Sequence, residues 1–213
     1  MTQIYYASLS KESHDRLMKE YLSAFSEGFQ KKISRFRRWQ DAQLSLLGSL
    51  LLKFGFNKLN EPFCESRLSY NKYNKPFLKG DKIRFNISHS GNLAICALSG
   101  NTDVGIDIEF MKDIEIDDFK MQMTDREWKQ IYHAELKKVA FYNYWTKKEA
   151  VIKADGMGLS IPLKSFEVID NHANINNQDF FIKEIELANN YKCHLAFREK
   201  IDLIILEPEQ VSF

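Results

Sequence analysis

Cysteine is scarce in this chain: Cys64, Cys96 and Cys193 are the only three in 213 residues, far apart and without C-x-x-C spacing. An odd, scattered set excludes a disulfide framework and a thiolate zinc site, and points to a reducing compartment. Long apolar runs are also lacking, none approaching the ~20 residues of a membrane span. The opening stretch MTQIYYASLSKES has no basic segment ahead of an apolar one, so the expectation is a cytoplasmic protein with no membrane contact. Net charge is nearly absent, formally +1, which gives no general case for a nucleic-acid partner. No Walker loop, GxGxxG or Ser-His-Asp order occurs, so the NTPase, dinucleotide and hydrolase readings lack their signatures.

What is present is ordinary globular composition, 44% hydrophobic and 28% charged, in a chain long enough for one sizeable core or two small fused ones. Charge is placed unevenly. Lys31, Lys32, Arg35, Arg37 and Arg38 form a basic run, while Asp103, Asp107, Glu109, Asp113, Glu115, Asp117 and Asp118 form an acidic one. A ligand carrying phosphates, together with a cation, could use both.

QIYYASL reads as a strand, and Ser10 to Ser13 offers cap chemistry before a helix through Leu17, Tyr21, Leu22 and Phe25. Leu44, Leu47, Leu51 and Phe54 recur at helical spacing, predicting a buried helix from about Trp39 to Phe54. A loop-like stretch between Asn60 and Gly80 precedes three short strands, KIRFNIS, LAICALS and DVGIDIEF, expected to form an antiparallel meander. Helices follow around Asp125 to His133 and Val139 to Ala154. FEVID, FFIKEIEL and YKCHLAF then read as strands, with DNHANINNQ as a turn and IDLIIL as a fourth strand. The order is an α+β pattern used twice, two similar halves, each with helices and a small antiparallel sheet, joined near residues 100 to 110. The expected division is 1–102 and 103–213.

In VGIDIE, strand alternation puts Val104, Ile106 and Ile108 on one face and Gly105, Asp107 and Glu109 on the other. Two carboxylates thus stand side by side, either as a solvated outer face or turned toward a cation. FYNYWTKKEAVIKADGMGLS places Phe141, Trp145, Lys148 and Ile152 on one stripe, with Glu149 and Lys153 one turn apart beside it. Taken alone, that pair reads as an exposed helix ion pair. Ser88 and His89 in FNISHSG fit a tight hairpin or a phosphate contact, and the basic run fits a solvated helix face or a phosphate clamp. Asp107, Glu109 and Glu149 together suit a hard divalent cation, and Lys153 beside them suits a phosphate oxygen.

FNISHSG, VGIDIE and FYNYWTKKEAVIKADGMGLS, in that order and at these separations, resemble the signature of the 4′-phosphopantetheinyl transferases of the surfactin-synthetase-activating (Sfp) type. The resemblance is clearest from about Lys75 to Pro162 and looser over the N-terminal helices. It implies two similar α/β halves with coenzyme A as substrate in the cleft between them. It also implies transfer of the phosphopantetheine arm to a serine of an acyl or peptidyl carrier protein, releasing adenosine 3′,5′-bisphosphate. Mg²⁺, or Mn²⁺ in its place, would be the metal.

Residue by residue, the resemblance implies Asp107, Glu109 and Glu149 as metal ligands, Glu149 and Lys153 as catalytic groups, and Ser88, His89, Lys75 and Lys153 as coenzyme A contacts. The carrier is expected to dock near Phe119 to Trp128, where Met121 and Met123 are either adaptable contacts or core methionines. A monomer is expected, because one chain completes the site.

Two departures stand out. The chain reads Asp41-Ala42-Gln43-Leu44-Ser45 where many relatives carry an arginine, so Lys31, Lys32, Arg37 or Arg38 is expected to take the 3′-phosphate. Asn74 replaces the commoner glycine before Lys75, and asparagine tolerates positive φ. A Mg²⁺-dependent nuclease and a non-catalytic nucleotide- or carrier-binding module are the competing readings. Against the nuclease, Glu109 is followed by Phe-Met-Lys and not by E-x-K.

Overall fold

The computed structural model describes residues 2–80, 82–100, 102–199 and 207–213. Strand β1 (Thr2–Ser8) leads into α1 (Lys11–Tyr21), whose Ser10 side chain accepts the Ser13 N–H as an N-cap. Ser26 caps α2 (Glu27–Ser34) in the same way. Helix α3 (Trp39–Lys58) buries residues all around its girth, Leu46, Leu51 and Phe56 among them, and forms the centre of the first core.

A short ribbon of β2 (Leu68–Tyr70) and β3 (Pro76–Leu78) follows, then the hairpin β4 (Arg84–Ser90) and β5 (Leu93–Ser99). Beyond it lie β6 (Val104–Phe110), α4 (Asp125–His133) and α5 (Lys137–Asp155). The chain ends in β7 (Val168–Ile169), β8 (His172–Ile175), β9 (Gln178–Glu184), β10 (Tyr191–Phe197) and β11 (Glu209–Gln210). No described helix is long and apolar enough to cross a membrane.

The sheets run β11-β1-β5-β4 and β6-β10-β9-β8-β7, antiparallel throughout except where β11 joins β1 in parallel. Each half follows one plan. It opens with a strand, lays a long helix on the sheet, and returns as a hairpin whose last strand pairs with the first, giving β1-β5-β4 and β6-β10-β9. The α+β reading with two similar halves is what the structure has.

The expected meander through KIRFNIS, LAICALS and DVGIDIEF breaks at its third strand, because β6 belongs to the second sheet and pairs with β10. Both faces of β6 are covered: Val104, Ile106 and Ile108 pack with Ile4 and Ile95 of the first sheet, and Gly105 lies under α5. The stretch expected as one turn, DNHANINNQ, holds β8 between two tight turns. Asp170-Asn171 and Asn176-Asn177 all sit at positive φ, the backbone that two-residue hairpin loops require. The strand expected at IDLIIL lies outside the described residues.

Candidate active site

The outer edge of β6 faces β4, and the two strands are joined through side chains. Asn86 Oδ1 accepts the Ile106 N–H at 2.9 Å, Ser88 Oγ the Ile108 N–H at 3.4 Å, and Ser90 Oγ the Phe110 N–H at 3.1 Å. Alternate residues of β4 thereby satisfy alternate edge donors of β6, as buried backbone groups require. This seam brings Ser88 and Ser90 beside the acids of β6.

Asp107 is buried, and its Oδ1 accepts from Lys153 Nζ at 2.5 Å and from Ser88 Oγ at 3.2 Å; Lys153 also donates to Ser88 Oγ at 3.1 Å. Asp107 Oδ2 is buried with no partner in the structure. Glu109 Oε2 accepts from Ser90 Oγ at 2.6 Å. Burial raises the pKa of Asp107 despite Lys153, and burial together with the charge of Asp107 raises that of Glu109. Glu149, on α5, is pushed up to about 7 by burial and then by the charges of Asp107 and Glu109, with Lys153 opposing. Burial pulls Lys153 down, but Asp107 at its side outweighs it, and the ammonium is held above its ordinary value.

Asp107 raises the pKa of Glu109 and of Glu149, and Glu109 that of Glu149, so the three carboxylates, one with an orphaned oxygen, form a set short of positive charge. Their oxygens are the donor type a hard divalent ion takes, so the residues fit such an ion. Among the described residues no three His, Cys, Asp or Glu side chains converge on one point; Lys153 holds the near oxygen of Asp107.

The glycines set the distances. Gly105 of β6 lies directly against the backbone of Ala150 and Ala154, so a Cβ there would strike α5. That close approach puts Glu149 and Lys153 over Asp107.

On the opposite face of β4, His89 opens into a pocket of about 520 Å³ that Lys32, Ser45, Gly48 and Pro76 also line. Burial, then the charges of Lys153 and Lys32, lowers the His89 pKa, while Asp41 opposes them. Arg37 is exposed and is not among the pocket's lining residues. Lys75 is held elsewhere: its ammonium donates to the carbonyls of Ala154 at 2.9 Å and Val104 at 3.4 Å, tying the loop before β3 to the end of α5. Asn74 takes φ 65°, as expected of asparagine in that turn.

Sequence reasoning did not find Asn86 and Ser90, nor the partner of Lys148. The signal was the alternation N-x-S-x-S across FNISHS, three small polar residues on one strand face. Lys148 was placed on the buried stripe, and the structure supplies its counter-ion, Glu127. Of the two methionines, Met123 is fully buried against Ile131 and Phe141 and cannot touch a partner, whereas Met121 is 73% exposed.

Residues 103–200 match the protein-family model of the 4′-phosphopantetheinyl transferase superfamily, and residues 12–101 match that of the 4′-phosphopantetheinyl transferase N-terminal region. The 4′-phosphopantetheinyl transferase gsp of Aneurinibacillus migulanus is 36% identical over 189 residues, covering 84% of this chain and 79% of its own. The 4′-phosphopantetheinyl transferase Sfp of Bacillus subtilis (strain 168) is 32% identical over 215 residues, covering 93% and 94%. The crystal structure of Thermotoga maritima holo-[acyl-carrier-protein] synthase aligns with 46% of this chain and 64% of its own, at TM-score 0.37 and 16% identity.

Proposed function

The chain belongs to the 4′-phosphopantetheinyl transferase superfamily, and we propose that it performs the transfer at the cluster of Asp107, Glu109, Glu149 and Lys153. The arm moves from coenzyme A to a serine of an acyl or peptidyl carrier protein. The observation that carries this placement is the buried, partnerless Oδ2 of Asp107 beside two further carboxylates, with the Lys153 ammonium among them.

In the transfer, the carrier serine oxygen attacks the β-phosphorus of coenzyme A and the bond to the α-phosphate oxygen breaks, releasing adenosine 3′,5′-bisphosphate. Glu149 takes the serine proton as general base, directly or through water. Lys153 places a fixed positive charge where the leaving phosphate gathers negative charge. Asp107, Glu109 and Glu149 would hold Mg²⁺ or Mn²⁺, which when bound supplies charge neutralisation to the pyrophosphate.

The nucleotide end belongs in the pocket on the first half, residues 1–102, with Lys32 and His89 toward the 3′-phosphate and Arg37 at longer range on the same basic face. Residues 103–213 supply the acids and the catalytic helix. Lys75 serves the ligand indirectly, by fixing the loop that carries Pro76 into the pocket wall. The acidic carrier would dock across the stretch from Phe119 to Trp128, where Met121 is exposed. Acids from β6, the lysine from α5 and the serines from β4 meet within one chain, which suits a monomer. Three free thiols suit the reducing cytoplasm.

The test is intact mass spectrometry of a panel of apo carrier proteins incubated with coenzyme A, Mg²⁺ and the protein, beside a Glu149→Gln variant. A gain of one phosphopantetheine with the native chain and none with the variant is expected. Equal modification by both would remove Glu149 from the chemistry. No modification of any carrier would overturn the proposed transfer.

A further inference from the structure

Two serines of β4 stand in the same relation to two acids of β6. Ser88 accepts the N–H of Ile108 and donates to Asp107 Oδ1; Ser90 accepts the N–H of Phe110 and donates to Glu109 Oε2. Each hydroxyl therefore bonds the backbone one residue beyond the acid it grips. A hydroxyl has one proton to give, and in Ser90 that proton goes to the carboxylate at 2.6 Å, the shorter of its two contacts.

Asn86 repeats the backbone half of the motif alone. It accepts the Ile106 N–H, and the residue in the acid's place is Gly105, which has no side chain to grip. The seam needs only an acceptor at each step. At positions 88 and 90 the acceptor is a hydroxyl whose own proton reaches a carboxylate, and these are the two steps where an acid is within reach.

Ser90 is itself held firmly. The next residue, Gly91, sits at φ +56° with so little room that a Cβ would come within 2.6 Å of the Tyr191 hydroxyl. That hydroxyl accepts the Asn92 N–H at 2.9 Å, pinning the β4–β5 turn to β10. The turn cannot slide along β6, so Ser90 meets Glu109 at a fixed register.

We propose that Ser90 is a positioning residue that orients the Glu109 carboxylate for the divalent cation, as Ser88 orients Asp107. The inference rests on the cation reading of the acid cluster given above. Ser90 touches no reacting atom; it fixes Glu109 Oε2 and leaves Oε1 to turn toward the ion. Hydrogen bonds to ligating carboxylates tune metal affinity by about 10- to 100-fold when removed.

The experiment measures Mn²⁺ affinity by electron paramagnetic resonance of the free ion, in the presence of coenzyme A, for the native chain and for Ser90→Ala, Ser90→Thr and Asn86→Ala. Thermal unfolding of each is recorded alongside, with the Mg²⁺ concentration for half-maximal transfer. Ser90→Ala is expected to weaken Mn²⁺ binding about tenfold and raise the half-activating Mg²⁺ by a similar factor, with kcat at saturating Mg²⁺ nearly kept. Ser90→Thr, which retains the hydroxyl, restores binding to within about threefold of native on the same scale.

Asn86→Ala loses a seam bond of the same kind, so it lowers Tm while leaving Mn²⁺ affinity unchanged. Native-like Mn²⁺ binding by Ser90→Ala, or equal weakening in Asn86→Ala, would overturn the role of Ser90 alone. A native chain that binds coenzyme A but no Mn²⁺ would overturn the cation reading, and the role of Ser90 with it.

Discussion

Glu127 and Lys148 face each other inside the second half, Oε2 to Nζ at 2.9 Å, and neither side chain reaches solvent. Lys148 also donates to the carbonyls of Leu163 and Phe166, and Glu127 accepts the N–H groups of Thr124 and Val168. Every charge is thus paired and hydrogen-bonded, the condition under which a buried ion pair is tolerated. Removing one partner strands the other. Lys148→Met is expected to cost about 3–5 kcal/mol in urea unfolding, and the double variant Glu127→Gln/Lys148→Met less than the sum of the singles. Strict additivity would show that the two charges do not depend on each other.

Gly105 is where α5 meets β6, and what a methyl group would strike there is backbone, at Ala150 and Ala154. Backbone cannot swing aside as a side-chain end does. Gly105→Ala is therefore expected to destabilise by about 1–3 kcal/mol or more. Because α5 carries Glu149 and Lys153, any shift that relieves the clash moves them from Asp107, so transfer should fall more steeply than Tm. Activity retained in proportion to the folded fraction would mean that α5 yields without disturbing the site.

Much of this was legible in the sequence, for identifiable reasons. The alternation of VGIDIE fixed which residues of β6 face α5, and the stripe on α5 put Lys148 inside and Glu149 beside it. The strand run and the helical periodicities marked the elements because local alternation and spacing need no knowledge of the neighbours. What could not be read was which sheet β6 joins, since a strand apolar on one face and Gly-Asp-Glu on the other pairs as readily with β5 as with β10. Asn86 and Ser90 stayed hidden because their partners lie 20 residues on, across the seam between sheets. The hairpin turns around β8 were hidden because their Asp-Asn and Asn-Asn pairs sit within a single polar stretch.

Lys75 makes a prediction about pH. Burial draws its pKa down to about 8, with Arg198 and Arg84 adding to the effect and Asp103 and Asp155 opposing it. Below pH 8 the lysine is charged in both folded and unfolded chains, and the full cost of burying the charge is present. Between about 8 and its unfolded value near 10.4, the unfolded chain binds the extra proton, so stability rises with pH. Relative to Lys75→Met, the native chain should gain up to about 1.4 kcal/mol per pH unit across that window. Urea unfolding of both proteins from pH 7 to 10.5 measures the difference. A flat difference would show that Lys75 titrates as an ordinary surface lysine.

Lys153 carries the sharpest prediction about catalysis. Its ammonium touches both Asp107 and Ser88, so it serves the acid cluster at rest, and the proposed transfer gives it a second role at the leaving phosphate. Those roles separate kinetically. Charge that matters most as the bond breaks is lost from kcat, whereas charge that only holds substrate is lost from KM. Lys153→Met is expected to lower kcat by about 10²–10³-fold, with a much smaller change in KM for coenzyme A. EDTA should stop transfer by the native chain and added Mg²⁺ or Mn²⁺ should restore it, while no metal concentration rescues the variant. A rise in KM with kcat intact would place Lys153 among the binding groups, and the work of neutralising the leaving phosphate would then fall to the cation that the three carboxylates would hold.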